Sequence, residues 1–149
     1  MRCVVQRVTE ASVSVDSEVV GQIGPGLLVL IGVAREDGES DLKYMMEKVP
    51  HLRIFDDENG VMNRSILDCG GEILAVSQFT LYGDARGGRR PSYFRAAPPE
   101  EANALYERLI STWRAQGIHV ETGRFRTEMK VSLVNDGPVT ILLDSEKAF

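Results

Sequence analysis

The N-terminal part of the chain alternates hydrophobic and polar side chains with a period of two, a pattern typical of β-strands with one buried face. Residues 1–15 (MRCVVQRVTEASVSV) follow this pattern and are rich in β-branched side chains, and residues 17–23 (SEVVGQI) continue it. We therefore predict two paired strands that turn at Asp16-Ser17. Residues 27–33 (LLVLIGV) are apolar throughout, which predicts a central strand covered on both faces.

Two later segments have the period of amphipathic helices instead. The first helix is predicted over residues 41–49 (DLKYMMEKV), with Ser40 as its N-cap. The second is predicted to begin at Pro98-Pro99 and to end at Gly117, because proline is favoured in the first helical turn and glycine just after the last. The hydrophobic faces consist of Leu42, Met45, Met46 and Val49 in the first helix and of Leu105, Leu109, Ile110 and Trp113 in the second.

The remaining segments predict further strands. Residues 51–55 and 61–67 flank the acidic turn 56–60, whose Asn-Gly step is a strong hairpin signal. This turn lacks the spaced ligands of an EF-hand calcium loop. Strands are also predicted over residues 72–82 (EILAVSQFTLY), 119–125, 129–135 and 138–144. Local sequence favours a hairpin turn at residues 135–138 (NDGP), since proline cannot donate a hydrogen bond within a sheet.

Together these elements predict an α+β fold of about eight mainly antiparallel strands and two helices in a single domain, residues 1–149. A chain of 149 residues with 43% hydrophobic and 26% charged side chains has the ordinary composition of a soluble globular domain. Two cysteines, Cys3 and Cys69, are too few for a disulfide framework, which favours a reducing, cytoplasmic location. No export signal or membrane-spanning segment is predicted, because the longest apolar run, residues 27–33, is far shorter than a bilayer requires.

The net charge of -5 argues against a protein that coats nucleic acid through a broadly basic surface. One local exception is the segment GDARGGRRPSYFR, residues 83–95, which has four arginines and one aspartate. This loop is either a contact for the phosphates of a nucleic acid or a solvated loop, and the sequence favours neither.

The chain lacks the common motifs of dinucleotide binding, P-loop hydrolysis, serine hydrolysis and zinc hydrolysis. His51 and His119 are isolated in the sequence and are predicted to be structural, and no metal site or cofactor is predicted. Ser77 to Thr80 (SQFT) place hydroxyl and amide groups at the end of an apolar strand. They either satisfy local hydrogen bonds or form an oxyanion site with Ser77 or Thr80 as positioner or nucleophile.

Several segments resemble the D-aminoacyl-tRNA deacylase family: SQFTLYGD (77–84), RRPSYFRAAPP (89–99) and NDGPVT (135–140), with the opening of the chain and GPGLLVLIGV (24–33). The resemblance extends over essentially the whole chain. It implies a homodimeric, barrel-like β fold with flanking helices and with active sites at the subunit interface. It also implies hydrolysis of the ester between a D-amino acid and the terminal ribose of tRNA.

The same resemblance implies roles for particular residues. Ser77, Gln78, Phe79 and Thr80 of one subunit are expected to face Gly137 and Pro138 of the other, across a cis Gly-Pro bond. Arg7 is expected to brace that motif, Met129 to line the pocket, and Phe125 to contact the terminal adenine of the aminoacylated 3′ end.

The predicted mechanism relies on positioning and on oxyanion stabilisation by backbone amides near Gln78, Phe79 and Thr80. The 2′-hydroxyl of the substrate is expected to assist the attack, with covalent catalysis by Thr80 as the alternative. Carbonyls of Gly137 and Pro138 would hold the substrate ammonium and exclude L-amino acids, whereas glycine would pass this filter, so glycyl-tRNA mischarged on tRNA for alanine is a further expected substrate. Two rival functions are a non-catalytic RNA-binding module and an assembly protein whose Gly-Pro segment only forms a dimer contact.

Overall fold

Strand β1 (Arg2–Val15) is the centre of the sheet in the computed structural model, which describes residues 1–149. Its first half pairs antiparallel with β3 (Gly26–Gly32), and its second half pairs antiparallel with β2 (Glu18–Ile23). Asp16 and Ser17 form the turn between β1 and β2 with φ angles of 49° and 67°, as a tight two-residue hairpin requires. The predicted strand pair is confirmed.

Strand β3 is almost entirely buried, as predicted, and the sheet continues from it through β6 (Glu72–Ser77) to β7 (Val120–Thr122). Both of these pairings are parallel, so the sheet is mixed. The strand predicted over residues 72–82 is too long, because Phe79–Tyr82 form a 3-10 helix after Ser77. The strand predicted over residues 119–125 is likewise reduced to the three residues of β7.

The sheet curls into a nearly closed barrel whose seam lies between β2 and β7. Gly21 of β2 lies so close to β7 that a Cβ atom at this position would be 2.4 Å from the carbonyl oxygen of Thr122. Only glycine permits this approach. The barrel interior is filled by buried side chains of four strands, namely Val8, Ala11, Val13, Ile23, Leu28, Leu74 and Val76.

Helices α1 (Glu39–His51) and α3 (Pro99–Ala115) cover the sheet and enclose the larger hydrophobic core. The helix faces predicted from the sequence are mostly correct, since all their residues are buried except the partly buried Met46 and Leu105. The predicted cap of α1 is wrong. The N-cap is Gly38, whose backbone N–H donates to Asp41 Oδ2 at 2.9 Å, and Ser40 lies in the first turn.

The acidic turn 56–60 forms the predicted hairpin between β4 (Phe55–Asp56) and β5 (Met62–Arg64). The end of the second predicted strand is instead a third helix, α2 (Ile66–Cys69). Ser65 caps this helix, because its Oγ accepts a hydrogen bond from the Asp68 N–H at 3.3 Å. The predicted class, an α+β fold with a mainly antiparallel, barrel-like sheet and flanking helices, is otherwise confirmed.

The hairpin turn predicted at residues 135–138 is wrong, because β8 (Lys130–Asp144) is one long strand that pairs antiparallel with β1 on both sides of this point. Val8 of β1 pairs with Asn135, and Gln6 pairs with Thr140. Arg7 alone therefore faces the four residues 136–139, which form a bulge in β8. On its other side β8 pairs with no strand of this chain.

Candidate active site

An open cavity of about 720 Å³ lies at the edge of the sheet where β3, β6 and β7 end. Because these strands are parallel, their carboxyl ends meet at one edge, where ligands of α/β sheets commonly bind. The segment after each strand contributes to the cavity: Arg35 follows β3, Phe79 follows β6 and Phe125 follows β7. Met129 and the start of α3 complete the lining.

Five of the residues predicted from the sequence line this one cavity, namely Ser77, Gln78, Phe79, Phe125 and Met129. Thr80 lies beside them in the 3-10 helix, where its Oγ1 accepts a hydrogen bond from the side-chain amide of Gln78. Arg7, Gly137 and Pro138 are not part of the lining.

The chain turn after Ser77 determines which backbone amides are available to a ligand. The Gln78 N–H donates to the Ile31 carbonyl at 2.7 Å and so extends the pairing of β6 with β3. Of the three amides predicted as oxyanion donors, that of Gln78 is therefore already engaged. Phe79 and Thr80 begin the 3-10 helix, and the first N–H groups of a helix have no partner within it.

The aromatic wall of the cavity rests on a residue that the sequence prediction missed. The Phe125 ring stacks on Tyr106 of α3, with ring centroids 6.4 Å apart. Tyr106 is buried and its hydroxyl donates to the Ala75 carbonyl in β6 at 2.7 Å, and this burial raises the pKa of the phenol. The helical period alone could have identified Tyr106, which lies one turn before Leu109 and Ile110 on the buried face.

The charged side chains that line the cavity are both arginines, Arg35 and Arg126. The lining contains no carboxylate, imidazole, thiol or lysine amine. His51 contacts the Glu47 carbonyl at 2.7 Å and His119 lies 3.0 Å from a carboxylate oxygen of Glu121, both away from the cavity. The chain has no group of three or more His, Cys, Asp or Glu residues arranged to hold a metal ion, and none of its helices is long and apolar enough to span a membrane.

The bulge in β8 is held by Arg7, whose side chain is only 12% exposed. Its Nε donates to the Asp136 carbonyl at 2.9 Å, and its Nη1 donates to the Ile54 carbonyl at 2.7 Å. Gly137 has a φ angle of 129°, and a Cβ atom there would be 2.9 Å from Arg7 Nη2. The Gly137-Pro138 peptide bond is cis.

Within a single chain, the bulge in β8 lies far from the cavity. Ser77 pairs with Ile31, which pairs with Cys3, and the bulge lies opposite Arg7 on the far side of β1. Three strand spacings of about 4.8 Å and four residues of about 3.3 Å place the bulge about 20 Å from Ser77 along the sheet.

The sequence and the fold were compared with known proteins. The family model described as D-Tyr-tRNA(Tyr) deacylase matches residues 4–144. A D-aminoacyl-tRNA deacylase of Symbiobacterium thermophilum is 64% identical over 149 residues, which cover 100% of this chain and 99% of the relative. A D-aminoacyl-tRNA deacylase of Desulfitobacterium hafniense is 62% identical over 149 residues and is covered in full, as is this chain.

The fold is shared with a solved structure named c-Myc DNA Unwinding Element Binding Protein. The TM-score is 0.91 at 40% sequence identity, and the match covers 97% of this chain and 98% of the other. The family match over residues 4–144 and the full-length relatives support the same conclusion as the SQFT turn. This chain belongs to the D-Tyr-tRNA(Tyr) deacylase family of hydrolytic enzymes.

Proposed function

We propose that this protein hydrolyses the ester bond between a D-amino acid and the 3′-terminal ribose of tRNA, and that it releases the free D-amino acid and the tRNA. This reaction is chiral proofreading in translation, and its proposed location is the cytoplasm. The observation that carries the proposal is the cavity at the carboxyl ends of β3, β6 and β7. There, the SQFT turn (residues 77–80) lies beside aromatic side chains and unopposed arginines, which suit an anionic nucleic-acid end with a base to stack.

The proposed reaction begins with the addition of a water oxygen to the ester carbonyl carbon. The carbonyl oxygen becomes an oxyanion, and the bond to the ribose 3′-oxygen then breaks as that oxygen takes up a proton. The amides of Phe79 and Thr80 are the proposed oxyanion donors, since each such donor typically contributes 100- to 1000-fold in rate. The cavity lining supplies no ordinary general base, so we assign the transfer of the proton from water to the neighbouring 2′-hydroxyl of the substrate.

Covalent catalysis by Thr80 is the alternative. A threonine hydroxyl needs an adjacent base to become a nucleophile, and the side-chain partner of Thr80 is the amide of Gln78, which donates to it. An amide N–H cannot accept the hydroxyl proton. This contact favours a positioning role for Thr80.

A second copy of the chain is proposed to complete each site. Strand β8 has an unpaired edge along 15 residues, with Val134 and Leu142 about half exposed, and such edges are normally covered. Met129 at one end of β8 lines the cavity, whereas Gly137 in the bulge lies eight residues, or about 26 Å, further along the strand. A two-fold axis that crosses β8 midway between Met129 and the bulge, near Leu133, would therefore place each bulge at the cavity of the other copy.

In this arrangement the partner's backbone selects the hand of the amino acid. Pro138 has no N–H, so the backbone between the Gly137 and Pro138 carbonyls carries no competing donor, which suits the ammonium group of the substrate. Arg7 holds this segment in place by donating hydrogen bonds to the Asp136 and Ile54 carbonyls. A rigid backbone against Cα would exclude an L-side chain, and glycine, which has no side chain, would pass. Glycyl-tRNA mischarged on tRNA for alanine is therefore a further proposed substrate.

The activity is tested by offering the purified protein D-tyrosyl-tRNA and L-tyrosyl-tRNA side by side and measuring amino-acid release. We expect rapid release from the D-ester only. Equal rates would contradict the chiral filter, and retention of both tRNAs without release would identify a nucleic-acid-binding module instead.

The shared site is tested by mixing two inactive variants. Phe79→Pro removes one oxyanion donor, and Gly137→Ala disturbs the bulge. If each site uses both subunits, unfolding and co-refolding of an equal mixture should restore about one quarter of the wild-type activity, because half of the dimers are mixed and each mixed dimer has one intact site. No restoration, with mixed dimers verified by a tag on one variant, would contradict the shared site.

A further inference from the structure

The exposed surface beside the mouth of the cavity combines aromatic rings with unpaired arginines. Its members are Arg35, Phe79, Arg89, Arg90, Tyr93 and Phe94, and we name it the aromatic–arginine platform. Arg35, Phe79 and Tyr93 also line the cavity, so the platform is continuous with it. The Phe79 and Tyr93 rings meet edge to face with centroids 5.2 Å apart.

Phe94 is the outermost ring of the platform and is 76% exposed, more than any other large hydrophobic residue of the chain. Arg35 lies against one face of this ring, with its guanidinium carbon 5.2 Å from the centroid. The same arginine donates from Nε to the Phe94 carbonyl at 2.5 Å. Arg35 therefore holds the Phe94 ring in place on one face, and the rest of the ring is open to a ligand.

The platform is attached firmly to the fold. The Arg35 N–H donates to the Arg95 carbonyl at 2.9 Å, and Ala34 forms an isolated bridge with Ala96. Arg95 is in turn paired with Glu36 and Glu146 at 2.9 and 3.1 Å. Phe94 is thus presented in a defined place, and stacking on it requires no ordering of a loose loop.

The platform carries a local positive charge. Arg86 and Arg95 in the same loop are neutralised by carboxylates, but Arg35, Arg89 and Arg90 have no carboxylate within salt-bridge distance. Of these three positive charges, Arg35 lies against the Phe94 ring, and the exposed Arg89 and Arg90 precede Tyr93 and Phe94 by four residues in the same loop, in a protein whose net charge is -5. Rings for base stacking combined with cations for phosphates are the features of single-stranded nucleic-acid sites.

We infer that this platform binds the unpaired nucleotides that precede the terminal nucleoside of the RNA substrate, with a base stacked on Phe94 and phosphates near Arg89 and Arg90. The inference rests on the proposed function, in which the terminal nucleoside occupies the adjoining cavity. The platform would increase affinity for the RNA end without touching the ester. It would thereby distinguish an aminoacylated RNA from an aminoacylated nucleoside.

The test compares two D-tyrosyl esters, one of full-length tRNA and one of adenosine alone. Phe94→Ala should lower kcat/KM on the tRNA ester by roughly 5- to 150-fold, the range measured for loss of one stacked base. The rate on the adenosine ester, which is too short to reach Phe94, should stay within about two-fold. Phe94→Tyr should retain the wild-type rate on both esters, and Phe94→Leu should behave like Phe94→Ala because bulk without a π-face does not stack.

Phe149→Ala is a matched control, because Phe149 is 61% exposed, lies against Arg2 with its centroid 5.6 Å from the guanidinium carbon, and is outside the cavity and the platform. It should leave both rates unchanged. The double variant Arg89→Gln, Arg90→Gln should flatten the slope of log affinity against log salt by about 1.4 for tRNA, since each phosphate contact on a single strand contributes about 0.7.

Three other outcomes contradict the inference. An equal loss on both esters would mean that Phe94 acts on the cavity itself, and no loss on either would leave the platform without an RNA role. If size-exclusion chromatography with light scattering gives Phe94→Ala a different molecular mass from the wild-type protein, the platform is a protein interface. If the wild-type protein cleaves neither ester, the proposed function fails, and tRNA binding by Phe94→Ala then tests the platform alone.

Discussion

Gly137→Ala is the substitution that most directly tests how the bulge in β8 is built. Gly137 has a φ angle of 129°, which side-chain-bearing residues rarely adopt. An added Cβ would lie 2.8 Å from Val139 Cγ2 and 2.9 Å from Arg7 Nη2. Both distances are shorter than normal van der Waals contact, so Arg7 has to move or the bulge has to change its path.

The expected cost has two parts. The backbone conformation costs an alanine about 1–3 kcal/mol. Displacing Arg7 weakens its hydrogen bond to the exposed Asp136 carbonyl, and a hydrogen bond to a charged group contributes about 1.5–3 kcal/mol. We therefore expect the free energy of unfolding to fall by about 2.5–6 kcal/mol, which most domains with a typical stability of about 5–15 kcal/mol survive. Deacylation of D-tyrosyl-tRNA should fall by about 100-fold, because a shift of about 1 Å in a positioning element has that effect.

The measurements are urea unfolding followed by circular dichroism and single-turnover release of D-tyrosine. Gly60→Ala is the matched control, because Gly60 also has a positive φ, of 74°, but has open space around its Cβ position. It should cost about 1 kcal/mol and leave the activity unchanged. If Gly137→Ala has the stability and activity of Gly60→Ala, the contact with Arg7 has no role and the reasoning is refuted.

Three further predictions concern the mechanism, the aromatic wall and the cysteines. Thr80→Ala should retain most of the deacylation rate, whereas a substrate with a 2′-deoxy terminal ribose should not be cleaved; the reverse pattern would identify Thr80 as the nucleophile. Tyr106→Phe should lower the free energy of unfolding by about 1 kcal/mol in urea titrations, because the buried hydrogen bond to Ala75 is lost, and an unchanged midpoint would contradict this role. Burial raises the pKa of the Cys3 thiol from 9.0 to about 12, while Cys69 is exposed. Iodoacetamide at pH 8 should therefore label one thiol of the native chain and two in urea, and labelling of native Cys69→Ser would show that Cys3 is accessible. Because the unfolded thiol ionises first, the contribution of Cys3 to stability should be lost as the pH rises from about 9 to 12.

The proposed dimer can be tested independently of activity. Light scattering should give about 33 kDa, twice the 16.5 kDa of the chain. Val134→Lys on the exposed part of β8 should shift this mass toward the monomer and lower the activity together with it, since an exposed charge on an edge strand opposes pairing. A fully active monomer would contradict the proposal that the partner completes the site.

Several elements could be predicted because their signals are local. The hairpin at Asp16-Ser17, the covered strand β3, the hairpin after β4 and the helix from Pro99 to Ala115 each depend on periodicity or on turn chemistry within a few residues. The family resemblance identified five residues that the fold brings to one cavity. Arg35 was missed because an arginine after a strand gives no local sign of a site. The helical period places Tyr106 on the buried face of α3, but burial alone does not indicate that a residue supports a cavity.

The end of β6 shows why local pattern was insufficient there. Residues 72–82 alternate like a single strand, but the chain leaves the sheet after Ser77 and forms the 3-10 helix that supplies the free amides of Phe79 and Thr80. Parallel pairing with β3 extends only as far as Ile31, and the Gln78 N–H makes the last bond. The length of the neighbouring strand, which is remote in sequence, therefore determines where the site begins.

By itself, the sequence determined most of the strands and helices and which short motifs belong to the deacylase family, because both are encoded in neighbouring residues. The tertiary structure alone decided the role of residues 135–138. Asn-Asp-Gly-Pro is an equally good local signal for a hairpin turn and for a bulge, and the difference lies in whether the two flanking segments pair with each other or with a third strand. Strand β1 pairs with both, so the chain continues straight on, and the extra residues are forced outward opposite Arg7. That pairing joins residues at least 116 positions apart, and it is decided by the packing of the whole sheet.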